Sequence, residues 1–216
     1  MSERRIPEAS VRRLPRYLQA LVAATDGGQA TISSEELARA AGLTSAIVRK
    51  DVSYLGTHGT RGVGYDVAAL TTEISSTLGI TVDRPVVIVG LGNLGRALAS
   101  YDGFSRRGFR VVALIDADPD LVGTRVGDHE VEPASQLATI LREREVTIAV
   151  LATPGHRAQA VADELVAAGA TALLNFAPVH LQVPDHVTVR TVDLSTELQI
   201  LSFYEQLASD LPAATG

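Results

Sequence analysis

Six residues, Gly90-Leu91-Gly92-Asn93-Leu94-Gly95, carry the Gly-x-Gly-x-x-Gly spacing of a dinucleotide-binding turn. The first glycine permits a tight turn, the second lets backbone approach a pyrophosphate, and the third lets a helix pack close to its strand. The helix that follows offers free N–H groups and the positive end of its dipole to phosphate. Val86-Val87-Ile88-Val89 immediately before it reads as a buried strand. A second apolar run, Val111 to Ile115, ends in Asp116. Asp116 lies roughly 20 residues beyond Gly95, the interval of the acid that holds the adenine ribose hydroxyls. An acid there favours NADH and NAD+ over their phosphorylated counterparts, because it repels a 2′-phosphate. Ala117 and Asp118 extend the same candidate site. Asp116 also suits a plain strand-end turn, and a six-residue match alone is weak. The strand before it, the helix after it and the second strand ending in an acid make it specific.

A second set of residues suits DNA. Thr44 reads as the cap of a helix running to about Leu55, in which Val48, Val52 and Leu55 share one face. Ser45, Ala46, Arg49, Lys50 and Ser53 share the other. A helix precedes it, with Ser33 and Glu36 spaced as a capping box and Ile32 and Leu37 as a hydrophobic staple. Ala41-Gly42-Leu43 joins the two, which makes a helix-turn-helix. In that motif the outer face of the second helix enters the major groove, where Arg reads guanine and Lys neutralises phosphate. The same face also suits a solvated helical hairpin. Gly56 to Tyr65 is glycine-rich, with Arg61 near its centre. It reads as a tight wing whose Arg61 suits a narrow minor groove. A phosphate-cradling P-loop fits less well, for no buried strand precedes it and no Gly-Lys-Ser/Thr follows.

These sites need elements to position them. Before residues 80–85 apolar side chains recur at helical spacing; after them short Val/Ile/Leu runs alternate with helical stretches. The reading is α/β: a winged-helix domain over 1–80, a Rossmann-like parallel-sheet domain over 81–193, and a terminal helix within 194–216. The first helix is expected from Pro15 through Leu18, Leu21 and Val22, and Thr81 to Pro85 is the expected linker. Asp66 should cap a helix from Val67 to Leu78. Val146 to Ala152 should be a strand ending at Thr153-Pro154, with a helix to Ala168. Ala172 to Leu174 leads into Asn175-Phe176-Ala177-Pro178, and Val187 to Val192 is a last strand. Both strand ends, Thr153-Pro154 and Asn175 to Pro178, should face the cofactor, because ligands bind beyond the C-terminal ends of parallel strands. The helix expected from Thr196 to Asp210 is apolar around much of its circumference, so it must be buried on its own domain or in a partner.

Composition sets limits. The chain has 216 residues and no cysteine, which excludes disulfides, thiolate metal sites and thiol-based redox sensing. No metal site is expected. Residues 1–84 hold ten basic and nine acidic side chains, residues 85–216 nine and sixteen. A weakly basic head on an acidic body suits local contact with phosphate, though ordinary surface scatter gives the same counts. No apolar run approaches the roughly 20 residues that span a bilayer, and the charged start carries no signal-peptide core. A cytoplasmic protein with no membrane contact is expected.

The whole chain resembles the Rex family of NADH-sensing repressors. The resemblance rests on Val48-Arg49-Lys50-Asp51, Ser53-Tyr54, Gly59 to Tyr65, Gly90 to Gly95, Tyr101-Asp102-Gly103-Phe104 and Asn175 to Pro178. It implies a homodimer with exchanged terminal helices, whose two winged helices hold inverted-repeat operator DNA. It implies that NADH rotates the subunits and releases DNA, that NAD+ competes, and that targets are genes of fermentation and respiration. By resemblance Arg49 and Lys50 contact the major groove, Arg61 the minor groove and Arg13 a backbone phosphate. Tyr101 would lie near the nicotinamide, close to Asp193 of the partner subunit. Many members carry Arg two residues after the tyrosine of the first helix, where it joins that pair in a switch. Here the run is Tyr17-Leu18-Gln19, so Gln19 stands there, and Arg16 on the same helical face is the candidate substitute.

Two rivals use the same frame. An NAD-dependent dehydrogenase needs a substrate domain and a proton donor near the nicotinamide. Only a strand and a helix follow Pro178, and His58, His129, His156, His180 and His186 form no recognisable pair with a carboxylate. His156 and His180, near strand ends, are the nearest candidates, and no enzyme is expected. A regulator binding CoA or another nucleotide is the second rival, against which Asp116 argues.

Overall fold

The computed structural model describes residues 6–56, 59, 60 and 62–209. The chain divides into two compact units, Met1–Val82 and Asp83–Gly216. The first contains α1 (Glu8–Val11), α2 (Leu14–Asp26), β1 (Thr31–Ile32), α3 (Ser34–Ala41), α4 (Ser45–Tyr54), β2 (Tyr65–Asp66) and α5 (Val67–Thr77). Three of these helices begin where side chains cap them. Ser33 and Glu36 form the reciprocal capping box of α3, Thr44 Oγ1 accepts from the Ile47 amide, and Asp66 Oδ1 accepts from the Ala69 amide. Each such cap stabilises its helix by about 1 kcal/mol. Gly42, at a φ of 68°, ends α3 in the left-handed turn that sets α4 off in a new direction. Leu14, Tyr17 and Leu21 of α2 pack with Leu37, Val48, Val52, Leu70 and Ile74 in one core. Val22 departs from the expected pattern, for it is exposed.

The wing is short. β1 and β2 pair antiparallel, Ile32 opposite Tyr65, and among the described residues a bridge joins Thr60 to Gly64. Gly64 must be glycine: its φ is 100°, and a Cβ would strike the Ile32 carbonyl.

The second unit runs β3 (Arg84–Val89), α6 (Asn93–Ala99), β4 (Phe109–Asp116), β5 (Arg125–Val126), β6 (His129–Pro133), α7 (Leu137–Glu143), β7 (Ile148–Leu151), α8 (Gly155–Ala167), β8 (Ala172–Asn175), β9 (Thr188–Thr191) and α9 (Leu194–Ser209). The seven strands lie in the order β5-β6-β4-β3-β7-β8-β9, all neighbours parallel except β5 and β6. β3 is sandwiched: Val87 and Val89 enter one core and Val86 and Ile88 another. Burial on both faces is why the run reads as continuous Val/Ile rather than alternating. The strand order reverses about β3, between β4 and β7, which puts a crevice at their C-terminal ends.

Several expected limits move. β3 already begins at Arg84, so Arg84 and Pro85 belong to the sheet and not to a linker. Pro85 is tolerated because the β7 pairing begins only at Val86. β7 is shorter than the run from Val146 to Ala152, and β9 than that from Val187 to Val192. α9 begins at Leu194, and Asp210 falls outside the described residues. Among the described residues no helix is long and apolar enough to cross a membrane.

Candidate functional site

The face that sequence assigned to DNA is built on α4. Arg49, Lys50 and Ser53 are exposed, Ser45 is half-buried, and Val48, Asp51 and Val52 point inward. Arg49 is not idle in the free chain: its Nη1 donates to Ser34 Oγ at 3.1 Å and to Glu35 Oε1 at 3.2 Å. Sequence reading gave Glu35 no part in this surface. Arg61, the expected wing contact, lies outside the described residues.

Arg13 takes an unexpected position. Its Nε and Nη2 donate to the two oxygens of Asp51 at 2.6 and 2.8 Å. Tyr17 Oη donates to the same carboxylate at 2.7 Å, and so does Ser10 Oγ. Asp51 is only 1% exposed. Burial alone would raise its carboxyl, but bonds from Arg13, Tyr17 and Ser10 outweigh that and hold it below the usual range. The carboxylate in turn pushes the Arg13 guanidinium up. Burial, and then the bond to Asp51, push the Tyr17 phenol up. Nothing marked Asp51 as more than part of a motif, yet it sits at the inward spacing of Val48 and Val52. A charge on an apolar face was the available signal.

The second unit holds a cleft of about 870 Å³ at the strand ends. Gly90, Gly92, Asn93 and Leu94 form one wall, Asp116, Ala117 and Asp118 another, and Thr153, Pro154 and Phe176 a third. Gly90 has a φ of 94°, and a Cβ there would lie 2.8 Å from the Ala152 carbonyl. A Cβ on Gly95 would strike the Gly90 carbonyl, so the third glycine is what lets α6 sit against the turn. Asp116 Oδ2 accepts from the Leu91 amide at 2.6 Å and Oδ1 from the Asp118 amide at 2.9 Å. Each carboxylate oxygen accepts two bonds, so one site on each remains for a ribose hydroxyl. Thr153 Oγ1 is buried with no hydrogen-bond partner. A glycine cradle, an acid with spare acceptors and an orphan hydroxyl fit a dinucleotide.

Not every expected residue faces this cleft. Leu91 is fully buried and serves through its backbone. Asn175 is also fully buried; its amide donates to the Ala177 and Val179 carbonyls and accepts from the Ala177 amide. Asn175 therefore shapes the turn after β8, Ala177 joins the core, and of that run only Phe176 lines the cleft. Pro178 is exposed outside it. His156, Arg157 and Glu164 of α8 line the cleft too, and of these sequence reading had weighed only His156, as a catalytic histidine.

Comparison with known proteins follows the same division. Residues 5–53 match the family described as putative DNA-binding protein N-terminus, and residues 81–179 the CoA binding domain. A redox-sensing transcriptional repressor Rex of Streptomyces coelicolor is 58% identical over 214 residues, 99% of this chain and 83% of that protein. One from Pelotomaculum thermopropionicum is 44% identical over 203 residues, 94% of this chain and 95% of its own. The chain belongs to the Rex family. A crystal structure of RSP, a Rex-family repressor, in complex with beta-NAD+ and operator DNA matches with a TM-score of 0.87 at 34% identity, covering 98% of this chain and 99% of that one. RSP in complex with beta-NADH matches at 0.85 and 33%, covering 96% and 98%.

The residues that the Rex resemblance assigns to a switch belong to both units, Arg16 and Gln19 to the first, Tyr101 and Asp193 to the second. Arg16 and Gln19 are both exposed on α2. Tyr101 is half-exposed, edge-on to Phe104 with ring centroids 5.3 Å apart, and belongs to a separate hollow of about 410 Å³. Asp193 stands immediately before α9, its two oxygens accepting from the Ser195 amide at 2.8 Å and Thr196 Oγ1 at 3.0 Å. Those bonds, the amide first, hold its carboxyl below the ordinary value. α9 is not covered by the other described residues: Leu194, Leu198, Leu201, Phe203 and Tyr204 are each more than half exposed.

Proposed function

We infer that this chain is a transcriptional repressor that reads the NADH/NAD+ ratio in the cytoplasm. It holds inverted-repeat operator DNA when NADH is low and releases it when NADH binds. The observation that carries this is the pairing, in one Rex-family chain, of an exposed Arg49–Lys50 face on a capped second helix with a glycine cradle beside Asp116. Arg49 and Lys50, with Ser45 and Ser53 beside them, would meet the major groove, and Arg61 the minor groove. The cradle, Asp116, Thr153 and Phe176 would hold the cofactor. The bare apolar face of α9 supports a homodimer that exchanges this helix. Release would follow if the DNA-free state encloses the nicotinamide near Tyr101 and Phe176, where neutral NADH loses less solvation than cationic NAD+. Arg16 or Gln19 with Asp193 would complete that state.

A labelled duplex selected from a random pool by the protein tests this by fluorescence anisotropy. NADH should release the duplex at lower concentrations than NADPH, NAD+ should oppose it, and CoA should have no effect. Release by CoA and not by NADH would overturn the reading.

A further inference from the structure

We propose that Asp51 is the positioning residue of the DNA-reading helix, and that Arg13 serves the interface through Asp51 and not by holding a phosphate. The proposal rests on the repressor reading above and deepens it. The carboxylate of Asp51 leaves the buried side of α4, one position beyond Lys50 and two beyond Arg49. Its four short hydrogen bonds come from Ser10 of α1, from Tyr17 of α2, and from Arg13 just ahead of α2. Arg13 and Tyr17 are four residues apart and so lie on one helical face. They grip the carboxylate from two directions, which fixes both the depth and the rotation of α4.

Van der Waals packing of Val48 and Val52 holds α4 against the core but is tolerant of small slides. Directional bonds to a buried charge are not. A rotation of α4 that re-aims Arg49 and Lys50 must stretch several of these bonds at once. Two of the donors on the Arg13 fork are already spent, with the guanidinium aligned on Asp51 and only a quarter of the side chain exposed. What sets Arg13 apart from an exposed phosphate ligand is that the two-pronged edge of its guanidinium is turned inward onto a buried carboxylate.

The two roles separate experimentally because lysine can replace arginine at a phosphate but not in a fork. A lysine holds phosphate as a point charge, whereas it cannot make two parallel bonds to one carboxylate. The full chain and five variants, Arg13→Lys, Arg13→Gln, Asp51→Asn, Ser10→Ala and Arg13→Gln combined with Asp51→Asn, would be titrated with the selected duplex and with a scrambled one at several salt concentrations. Circular dichroism fixes a temperature at which each is folded. Arg13→Lys should lose about tenfold in affinity for the selected duplex, with scrambled-duplex binding within about twofold and an unchanged salt slope. Arg13→Gln in the Asp51→Asn background should add no further loss, since both act through one contact. Ser10→Ala, which keeps the charge pair, should lower the selected-to-scrambled ratio by about threefold and covers the case in which Asp51→Asn fails to fold. The opposite pattern overturns the proposal: Arg13→Lys indistinguishable from the unmutated protein, with Arg13→Gln lowering the salt slope by about 0.9 on both duplexes. If the unmutated protein selects no duplex at all, the repressor reading falls and takes this proposal with it.

Discussion

In the first unit the buried carboxylate of Asp51 accepts four hydrogen bonds from three side chains. In the second, the buried hydroxyl of Thr153 meets no partner, and Asp116 binds two backbone amides with acceptor sites to spare. The Asp51 carboxylate and the Thr153 hydroxyl are both away from water, where an unmet hydrogen bond is costly. The first meets that cost from within, so it holds one shape. The second leaves part of it unmet along an open cleft, so a ligand that supplies the missing bonds is stabilised. Saturation marks the part that presents a surface; incompleteness marks the part that receives a molecule.

The comparison breaks most easily at Asp51. Asp51→Ala removes the acceptor and leaves Arg13, Tyr17 and Ser10 without their partner. Loss of one member of a buried pair costs about 3–5 kcal/mol, and the partial exposure of Arg13 puts the expected loss at about 3. Urea unfolding of the full chain measures it, and a loss under about 1 kcal/mol would make the network a surface pair in energetic terms. The pH dependence sharpens the same point. The folded-state carboxyl of Asp51 is lowered, so its stabilisation is present above its unfolded value near pH 4 and fades as pH falls through the folded one. Tyr17 runs the other way: its raised phenol contributes fully below about pH 10 and loses that contribution as pH rises further. Asp51→Asn should therefore flatten the acid limb of the unfolding midpoint against pH.

At the open site the largest effect falls on the glycine cradle. A methyl group on Gly95 meets the Gly90 carbonyl, so Gly95→Ala must push α6 away from the turn. Overpacking of this kind costs about 1–3 kcal/mol, which should appear as a tenfold or greater loss of NADH affinity by calorimetry. Operator binding without NADH should be unchanged, because that unit is untouched. Asp116→Asn is milder. It keeps an oxygen acceptor and removes the charge, and one unit charge at about 4 Å beside water is worth about 1 kcal/mol. The NADH-over-NADPH preference should narrow roughly fivefold, and no change would take Asp116 out of the cofactor argument.

How much of this could be read from the chain depended on how far apart the partners stand. The helix caps, the glycine turn and the acid at the end of β4 are local patterns, and the α/β order and the helix-turn-helix follow from them. The Asp51 network joins residues 34 to 41 positions apart, so no spacing rule announces it. It also gives Arg13 an internal partner, which a resemblance places by role but not by hydrogen bond. β5 and β6 form a hairpin too brief for a periodic signal, though Gly127-Asp128 at its tip is a turn pair. Asn175 shows the converse: the run containing it was recognisable, but its buried amide closes a turn instead of facing the cleft.

The smallest expected effect lies on the reading face itself. Glu35 stands in the first turn of α3, a favourable place for an acid near a helix N-terminus, and takes a bond from Arg49 at 3.2 Å. Both side chains are more than half exposed, so solvent screens the pair and it adds little to stability. Its consequence is for binding. On the proposed reading Arg49 would have to leave Glu35 to reach a base, and the carboxylate beside it would repel phosphates. Glu35→Gln should raise affinity for selected and scrambled duplexes alike, by up to about fivefold, without moving the unfolding midpoint. Because the gain is electrostatic, it should shrink as salt rises. A gain confined to the selected duplex would mean that Glu35 instead orients Arg49 toward its base. In that case the reading face, like the Asp51 network behind it, would be set by internal bonds before DNA arrives.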